Sequence, residues 1–260
     1  RVEECADSLC STMYDCFKEL SLSNALTVVA SLSFPARDFI QQQIPVFIPL
    51  VMEAQRRYKD PGVLIPSIRI VALIVNRLDL GEEIFGQLMD NMFLSLKKGE
   101  TANAKAEILN IFCILVTKKT KMFLPYVTNL YNGMLYLVTY LENVYQIYLE
   151  CTAQIVSSIC HLCVALINVV SEEDKIHIFS LGIQMINTVA KMPKLLSQIN
   201  EDLVDLILCL LRNFRDETKQ QIQQIPSISE VIRSGMKLVQ APDTEIEELM
   251  ADLMSNVQNS

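Results

Sequence analysis

The chain contains no tryptophan and few of the residues that interrupt regular secondary structure. Its 260 residues include only 7 Gly and 9 Pro. An all-β protein of this length needs many more turn residues, because each short strand ends in a turn. This scarcity, with a hydrophobic content of 51% that is rich in Leu, Ile and Met, predicts an all-α fold of helices packed on helices.

Residues and motifs that carry enzyme chemistry are also scarce. The only histidines are His161 and His177, and we expect His161, on an apolar helix, to be a packed residue. The sequence lacks a glycine-rich dinucleotide loop, a phosphate-binding loop, an H-E-x-x-H zinc motif and an EF-hand loop. Acidic pairs such as Glu82-Glu83 fall at predicted helix starts, where the helix dipole favours negative charge. We therefore predict no catalytic residues, no metal ligands and no cofactor, in a protein that is not an enzyme.

The eight cysteines are best explained as apolar packing residues. Most lie in apolar, helix-like stretches, where a free cysteine behaves as a small hydrophobic residue, and a chain of this size folds without disulfides. The pair in Cys160-His161-Leu162-Cys163 has the spacing of a zinc or redox site. No second pair lies nearby, and we expect a mid-helix position to prevent both sulfurs from converging on a metal. The cysteines thus predict an intracellular, cytoplasmic or nuclear protein.

Two long stretches without acidic or basic residues raise the possibility of membrane spans. They are Met122–Leu141 and Cys151–Val170, and each is long enough to cross a bilayer. Both also contain several Asn, Gln, Ser and Thr side chains, which are costly when they face lipid. We therefore expect a buried helix pair here and no contact with a membrane.

Proline, glycine and capping residues divide the chain into about a dozen predicted helices. Ser171, followed by three acidic residues, is one predicted helix start, and the polar segment Arg215–Gln224 is predicted to separate two helices. The predicted helices are Val2–Leu20, Ser23–Leu32, Ala36–Gln43, Pro45–Tyr58, Pro66–Leu78, Glu82–Leu96, Ala102–Val116, Leu124–Leu141, Val144–Val170, Lys175–Ala190, Leu203–Phe214, Glu230–Val239 and Glu245–Val257.

Grouped in pairs, these helices form hairpins that begin near residues 2, 35, 80, 122, 171 and 217. Their spacing of roughly 33 to 49 residues is similar to the period of about 40–47 residues in HEAT and armadillo repeats. Prolines near the helix ends add to the likeness. They are Pro35, Pro45, Pro66, Pro125, Pro193 and Pro226.

The chain therefore resembles the HEAT/armadillo α-solenoid superfamily over essentially its whole length. The resemblance implies a single domain, residues 1–260, built as a right-handed α-solenoid of about five to six stacked helical hairpins. Because the sequence starts at Arg1 and directly in a helical pattern, we expect a fragment of a longer protein. The amphipathic segment 244–260 is expected either to cap the last hairpin or to dock into a partner.

Three clusters of basic residues end predicted helices. A cation at a helix C-terminus is favoured by the helix dipole, which is the simplest explanation for them. In a solenoid, however, equivalent hairpin ends stack side by side, so the first and third clusters can form a basic strip for an acidic partner segment. The candidate partner-binding residues are Arg56, Arg57, Lys59, Lys97, Lys98, Lys118, Lys119 and Lys121.

Aromatic residues concentrate at the centre of the chain. They fill cores more often than they anchor interfaces, but any exposed members would mark a binding surface. The residues concerned are Phe123, Tyr126, Tyr131, Tyr136, Tyr140, Tyr145 and Tyr148.

Taken together, these features predict a non-catalytic scaffold or adaptor that binds other proteins as a subunit of a larger complex. Two alternatives stay open: a karyopherin-like transport-receptor fragment that binds basic cargo, and a nucleic-acid-binding HEAT module supported by the basic clusters. The net charge of −8 argues against nucleic acid, because such proteins use basic surfaces to neutralise phosphates. No small-molecule ligand is expected.

Overall fold

The computed structural model describes residues 41–42, 48–49, 51–52, 65, 67–69, 71–72, 75–76, 80–97, 101–144, 149–225, 228–238 and 240–254. Within these ranges every regular element is a helix and there is no strand, so the all-α prediction is confirmed. The helices predicted between Val2 and Leu78 fall largely outside the described residues.

The chain divides into two compact units, residues 1–126 and residues 127–260. Within the described part of the first unit, the elements with defined bounds are α1 (Glu82–Lys97), α2 (Ala102–Lys118), α3 (Thr120–Phe123) and a 3₁₀ turn (Leu124–Tyr126). Those of the second are α4 (Val127–Val144), α5 (Leu149–Ile167), α6 (Glu172–Ala190), α7 (Pro193–Asn213), α8 (Arg215–Ile222), α9 (Ile228–Leu238) and α10 (Asp243–Met254). The single-domain organisation over 1–260 stays a prediction.

Side-chain caps start two of the helices. Ser171 Oγ accepts the backbone N–H of Asp174 at 3.2 Å, so the predicted start of α6 at this serine is confirmed. Thr101 Oγ1 accepts the N–H of Ala104 at 3.3 Å in the same way at the start of α2. Each cap provides a partner for a backbone donor that the first turn of a helix leaves unsatisfied.

Helix α7 is longer than the sequence analysis predicts. It was expected to begin at Leu203, yet it begins at Pro193, which stands at its first position, where the missing N–H of proline costs nothing. The apolar residues Leu195, Ile199 and Leu203 are all buried and recur every four residues across the supposed boundary. This continuous stripe outweighs Glu201 and Asp202, two acidic residues just before Leu203 that are typical of a helix start.

Helix α8 replaces a predicted polar connection. The expectation that Arg215–Gln224 separates two helices is wrong, because Arg215–Ile222 is itself helical. Thr218 and Ile222, one turn apart, are both buried, and Lys219 is buried while it pairs with Asp252 of α10 at 2.6 Å. The segment is helical because its neighbours bury one side of it, a cause that its polar composition does not reveal.

One described helix, α5, is long and apolar enough to cross a membrane by length and composition alone. In this structure 56% of its most apolar window is buried against other parts of the protein. The core helix of a soluble protein passes the same test, so this is weak evidence for a membrane span.

In the second unit, most helices pack against their chain neighbours and also against the next helix but one. The next-but-one pairs are α4 with α6, α5 with α7, α6 with α8, α7 with α9 and α8 with α10. Helices α6 and α7 are antiparallel: Phe179 lies against Phe214, with ring centroids 4.9 Å apart, and Gly182, further along α6, faces Leu206 and Leu210, earlier along α7.

Helices α1 and α2 of the first unit form an antiparallel pair with an aromatic core. The rings of Phe93 and Phe112 stack with centroids 4.9 Å apart, and Phe123 of α3 lies 6.0 Å from Phe112. At the end of α1, the buried Lys105 of α2 donates a hydrogen bond from Nζ to the carbonyl of Leu96. This bond gives one of the last carbonyls of α1 a partner.

Candidate functional site

The described lysines belong to the second and third basic clusters, and they lie at or next to helix ends, as expected. Lys97 ends α1 and Lys118 ends α2, and both side chains are exposed. Lys121, in α3, is also exposed, whereas Lys119 is half-buried. The remaining candidate partner-binding residues, Arg56, Arg57, Lys59 and Lys98, lie outside the described residues.

The described lysines do not form a single patch. Because α1 and α2 are antiparallel, Lys97 lies near the start of α2, whereas Lys118 lies at its end. The 17 residues of α2 separate these points by roughly 25 Å at 1.5 Å per residue. The strip between the first and third clusters depends on residues outside the described part, so it stays a prediction.

Lys121 lies on the wall of a surface cleft in the first unit, which we call the lysine cleft. The cleft has a volume of about 350 Å³. Its described lining residues come from the start of α1, from α3 and from the 3₁₀ turn, and they are Glu82, Phe85, Lys121, Met122, Pro125 and Tyr126.

A second candidate surface lies in the second unit, on the exposed sides of α4 and α6. Between Val127 and Leu141, and again between Ile176 and Ala190, the chain has no Asp, Glu, Lys or Arg. We call this surface the tyrosine face. Its exposed residues are Thr128, Asn129, Asn132, Tyr136, Thr139, Ile176, His177, Ser180, Gln184 and Asn187.

Aromatic rings mark the tyrosine face. Tyr136 is 42% exposed, and its ring stacks on that of Tyr140 with centroids 6.4 Å apart. Tyr131 of α4 contacts His177 of α6, with ring centroids 5.3 Å apart, so an aromatic contact joins the two helices. By contrast, Phe123 is buried in the first unit, as expected for a core residue. Tyr145 and Tyr148 lie outside the described residues.

The two cysteines of the C-x-x-C pair are core residues, as predicted. Cys160 and Cys163 are each 1% exposed, and burial raises the pKa of the Cys160 thiol well above its ordinary value. Burial likewise raises the pKa of the Cys113 thiol, to about 12. Across the described part of the chain, no group of three or more His, Cys, Asp or Glu side chains is placed to hold a metal ion.

His161 is not the packed residue that its apolar helix suggests. Its side chain is 56% exposed, and Nε2 lies 2.9 Å from Asp202 Oδ1 on α7. The hydrogen bond to Asp202 raises the pKa of His161, and the same bond lowers the pKa of Asp202. The sequence analysis missed this pair because its two members lie on different helices, about 40 positions apart.

The side chains around His161 do not form a nucleophilic relay. The Ser157 hydroxyl donates to the Asp202 carboxylate, which also accepts from His161. In a serine hydrolase the imidazole stands between the serine and the carboxylate, so that it can take the hydroxyl proton. Here the carboxylate stands between the two, so the His161 imidazole is not placed to take the Ser157 hydroxyl proton.

No protein-family model matches the chain, and neither a curated protein nor a solved structure matches it.

Proposed function

We propose that this chain is a non-catalytic scaffold that binds other proteins as an intracellular subunit of a larger complex. The fold that we propose for it is a right-handed α-solenoid of the HEAT/armadillo kind. The contacts of the second unit support this fold. Helices α4, α6, α8 and α10 follow one another by next-but-one contacts, and α5, α7 and α9 do the same. Two such rows of alternating helices are what stacked helical hairpins produce.

The tyrosine face is the observation that carries the proposed function. The centres of protein interfaces are depleted in charged residues and enriched in aromatic ones. An extended surface without charge is unusual on a chain in which 20% of the residues are charged. Tyr136 supplies an exposed aromatic side chain at this surface, and tyrosine is among the residues that most often dominate binding energy.

The experiment is a comparison of two single-charge variants of the whole chain. Tyr136→Glu places a carboxylate on the tyrosine face, and Gln154→Glu places one on the exposed side of α5. Partners are purified on each variant and on the wild-type chain and are quantified by mass spectrometry. Circular dichroism verifies that both variants keep their helix content.

We expect Tyr136→Glu to reduce recovery of a specific partner about tenfold or more. A carboxylate that is buried in the interface loses its hydration and finds no opposite charge to pair with. Gln154→Glu should recover the same partner at the wild-type level. Equal recovery by the two variants would remove the tyrosine face as the binding surface.

The distribution of charge favours a second candidate, a transport-receptor-like fragment that binds basic segments. Residues 1–126 hold 14 acidic and 14 basic side chains, whereas residues 127–260 hold 16 acidic and 8 basic ones. The second unit therefore attracts cations. A labelled peptide of lysines and arginines should bind the chain with an affinity that falls steeply with added salt. A neutral peptide of the same length is the control, and equal binding of the two would exclude this candidate.

A further inference from the structure

Helix α10 lies against α8 and α9 in a groove that we call the α10 groove. The described residues of its walls belong to the end of α8 and to α9, and they are Ile222, Gln223, Ile228, Ser229 and Ile232. Met250 and Leu253 of α10 fill the groove so closely that a void of about 10 Å³ remains among these side chains, which is roughly the space of one water molecule. The groove therefore selects a helix by the shape of its apolar side.

Cations stand on both rims of the α10 groove, and each rim holds one carboxylate of α10. On the α8 side, Lys219 Nζ and Arg215 Nη2 lie 2.6 and 2.8 Å from the two carboxylate oxygens of Asp252. On the α9 side, Arg233 donates to the carboxylate of Glu247. At helical spacing Glu247 and Asp252 fall on opposite flanks of the buried apolar side chains. The groove therefore also selects a helix by the position of its charges.

These rims are basic within a unit that is acidic. The second unit holds 16 acidic and 8 basic side chains, whereas α10 has five acidic residues and no basic one. Four of the eight basic residues belong to α8 and α9, and they are Arg215, Lys219, Arg233 and Lys237. The acidic residues of α8 and α9 are Asp216, Glu217 and Glu230. None of these three shifts the pKa of Glu247 or of Asp252, whereas hydrogen bonds from the rim cations lower the pKa of both.

Gln223 makes a contact that does not depend on the side chains of the bound helix. Its Nε2 donates to the carbonyl oxygen of Leu253 at 2.6 Å. This carbonyl is one of the last four of α10, which have no partner within the helix. Because any helix that ends at this point offers the same acceptor, the groove recognises a helix terminus in addition to an acidic and apolar pattern.

Helix α10 is attached in a way that favours its exchange. Its main contacts among the described helices are with α8 and α9. The side chains of Arg233 and Glu247 are 44% and 62% exposed, and an exposed ion pair contributes little to stability. In the turn before α10, Gln240 has a φ of 59°, in the left-handed region that strains a residue other than glycine. Release of α10 lets Gln240 leave this conformation, which offsets part of the cost of opening the groove.

We propose that the α10 groove is a docking site for an acidic amphipathic helix of a partner protein, and that α10 occupies the groove until this helix displaces it. The partner helix carries apolar residues at the spacing of Ile246, Met250 and Leu253, with a carboxylate on each flank. Binding of an amphipathic helix in an apolar groove is a common mode of recognition. This inference rests on the proposed interaction function and adds to the tyrosine face a second binding surface, which is covered in the free chain.

The probe is a fluorescent peptide with the sequence of residues 243–254, measured by fluorescence anisotropy with the whole chain. In the wild-type chain the resident α10 competes with the probe at a high effective concentration. Asp252→Ala loosens the resident α10 and leaves every wall residue of the groove in place. This variant should therefore bind the probe about tenfold more tightly than the wild-type chain. General loss of structure would weaken binding, which is the opposite sign.

Two control peptides separate the contributions of charge and of apolar contact. In one, every side-chain carboxylate is replaced by its amide, and in the other the same residues are reordered so that the apolar ones no longer share a helix face. We expect both to bind Asp252→Ala at least about tenfold more weakly than the probe, because each lacks one half of the recognition.

Two charge reversals, each added to Asp252→Ala, locate the binding. Arg233→Glu reverses one rim of the groove and should weaken binding of the probe about tenfold relative to Asp252→Ala alone. Lys191→Glu makes the same change on an exposed lysine at the end of α6 and should leave the affinity unchanged. In methyl-labelled Asp252→Ala chain, the Ile232 signal should shift on titration with the probe, whereas the signal of Ile155, which is buried in α5, should not.

Equal affinities of the wild-type chain and Asp252→Ala for the probe would overturn the proposal, and so would equal affinities of the probe and the amide peptide. A dimer of unliganded Asp252→Ala that the probe dissociates would identify the α10 of a second copy as the occupant and would also overturn it. If the probe does not bind while Tyr136→Glu still abolishes partner recovery, the groove proposal is wrong and the scaffold function stands.

Discussion

His161 shows how one side chain gains a role from a residue on another helix. It lies on α5, and the charged or polar groups that face it come from α7 and from its own helix. Asp202 contacts it directly, Asp205 and Glu201 raise its pKa through their charge, and Ser157 shares the Asp202 carboxylate. The pair therefore ties α5 to α7 in a way that depends on pH.

We expect the His161–Asp202 pair to stabilise the chain most near pH 5. The raised pKa of His161 means that its stabilisation is complete below its unfolded value of about 6.5. It is lost as pH rises through the folded pKa. The lowered pKa of Asp202 gives stabilisation above its unfolded value, which is lost as pH falls through the folded pKa.

Thermal unfolding of Asp202→Asn and the wild-type chain at several pH values tests this prediction. The variant should melt about 1–3 °C lower at pH 5, since an exposed pair contributes little, and the difference should shrink by pH 8. The pKa of His161, followed by NMR, should also be lower in the variant than in the wild-type chain. An unchanged His161 titration would show that the pair does not form in solution.

At the scale of the element, α9 packs on α7 through Gly235. A Cβ built at this glycine would lie 2.4 Å from Val204 Cγ2 and 2.7 Å from the Asn200 carbonyl oxygen. The carbonyl belongs to the backbone of α7 and moves only with that helix. Glycine is therefore required here by the close approach of the two helices.

Gly235→Ala should lower the free energy of unfolding by about 2 kcal/mol, because the crowding outweighs the better helix propensity of alanine. Gly81→Ala is the matched control. Nothing lies within 4 Å of a Cβ there, so its effect should stay within about 0.5 kcal/mol. Urea denaturation measures both, and Val204→Ala should partly rescue Gly235→Ala. Equal stability of the two glycine variants would contradict the close approach of α9 to α7.

Helix α10 is held by a pair of cations on α8. Asp252 accepts from Lys219 Nζ at 2.6 Å and from Arg215 Nη2 at 2.8 Å, and the bond to Lys219 lowers the pKa of Asp252. The apolar residues Ile246, Met250 and Leu253 are buried. This burial favours capping over docking for the segment 244–260, which stays a prediction.

Asp252→Ala should destabilise the attachment of α10 by about 2 kcal/mol, since Lys219, whose side chain is 9% exposed, loses its carboxylate. Arg215→Ala removes an exposed cation from the same carboxylate and should cost less than about 1 kcal/mol. Hydrogen exchange of α10 amides at neutral pH measures both. The pKa of Asp252 is lowered, so its carboxylate is protonated only as pH falls through the folded pKa. The difference in α10 protection between the wild-type chain and Asp252→Ala should vanish over that pH range. A larger effect of Arg215→Ala would contradict this assignment.

At the scale of the whole molecule, contacts in the second unit are unevenly distributed among the helices. Helix α7 packs against α5, α6, α8 and α9, whereas the main partners of α10 are α8 and α9. Local opening is easiest where few contacts must break. We therefore expect native-state hydrogen exchange to be slowest in α7 and fastest in α10, and uniform protection across the described helices would contradict this expectation.

The sequence by itself determined that the chain is helical and where several helices start. Low glycine content, apolar residues at helical spacing and the capping of Ser171 act within a few residues of one another, so they can be recognised without a fold. The burial of Cys160 and Cys163 followed from the same local pattern.

Only the tertiary structure decided that Arg215–Ile222 is a helix, that α7 begins at Pro193 and that His161 lies at the surface beside Asp202. Each depends on a neighbour far away in the chain. The polar segment is helical because other helices bury one side of it, where Lys219 pairs with Asp252, and His161 is held by a carboxylate on α7. The lysine cleft and the tyrosine face arise in the same way, because packing decides which sides of α1, α3, α4 and α6 remain exposed.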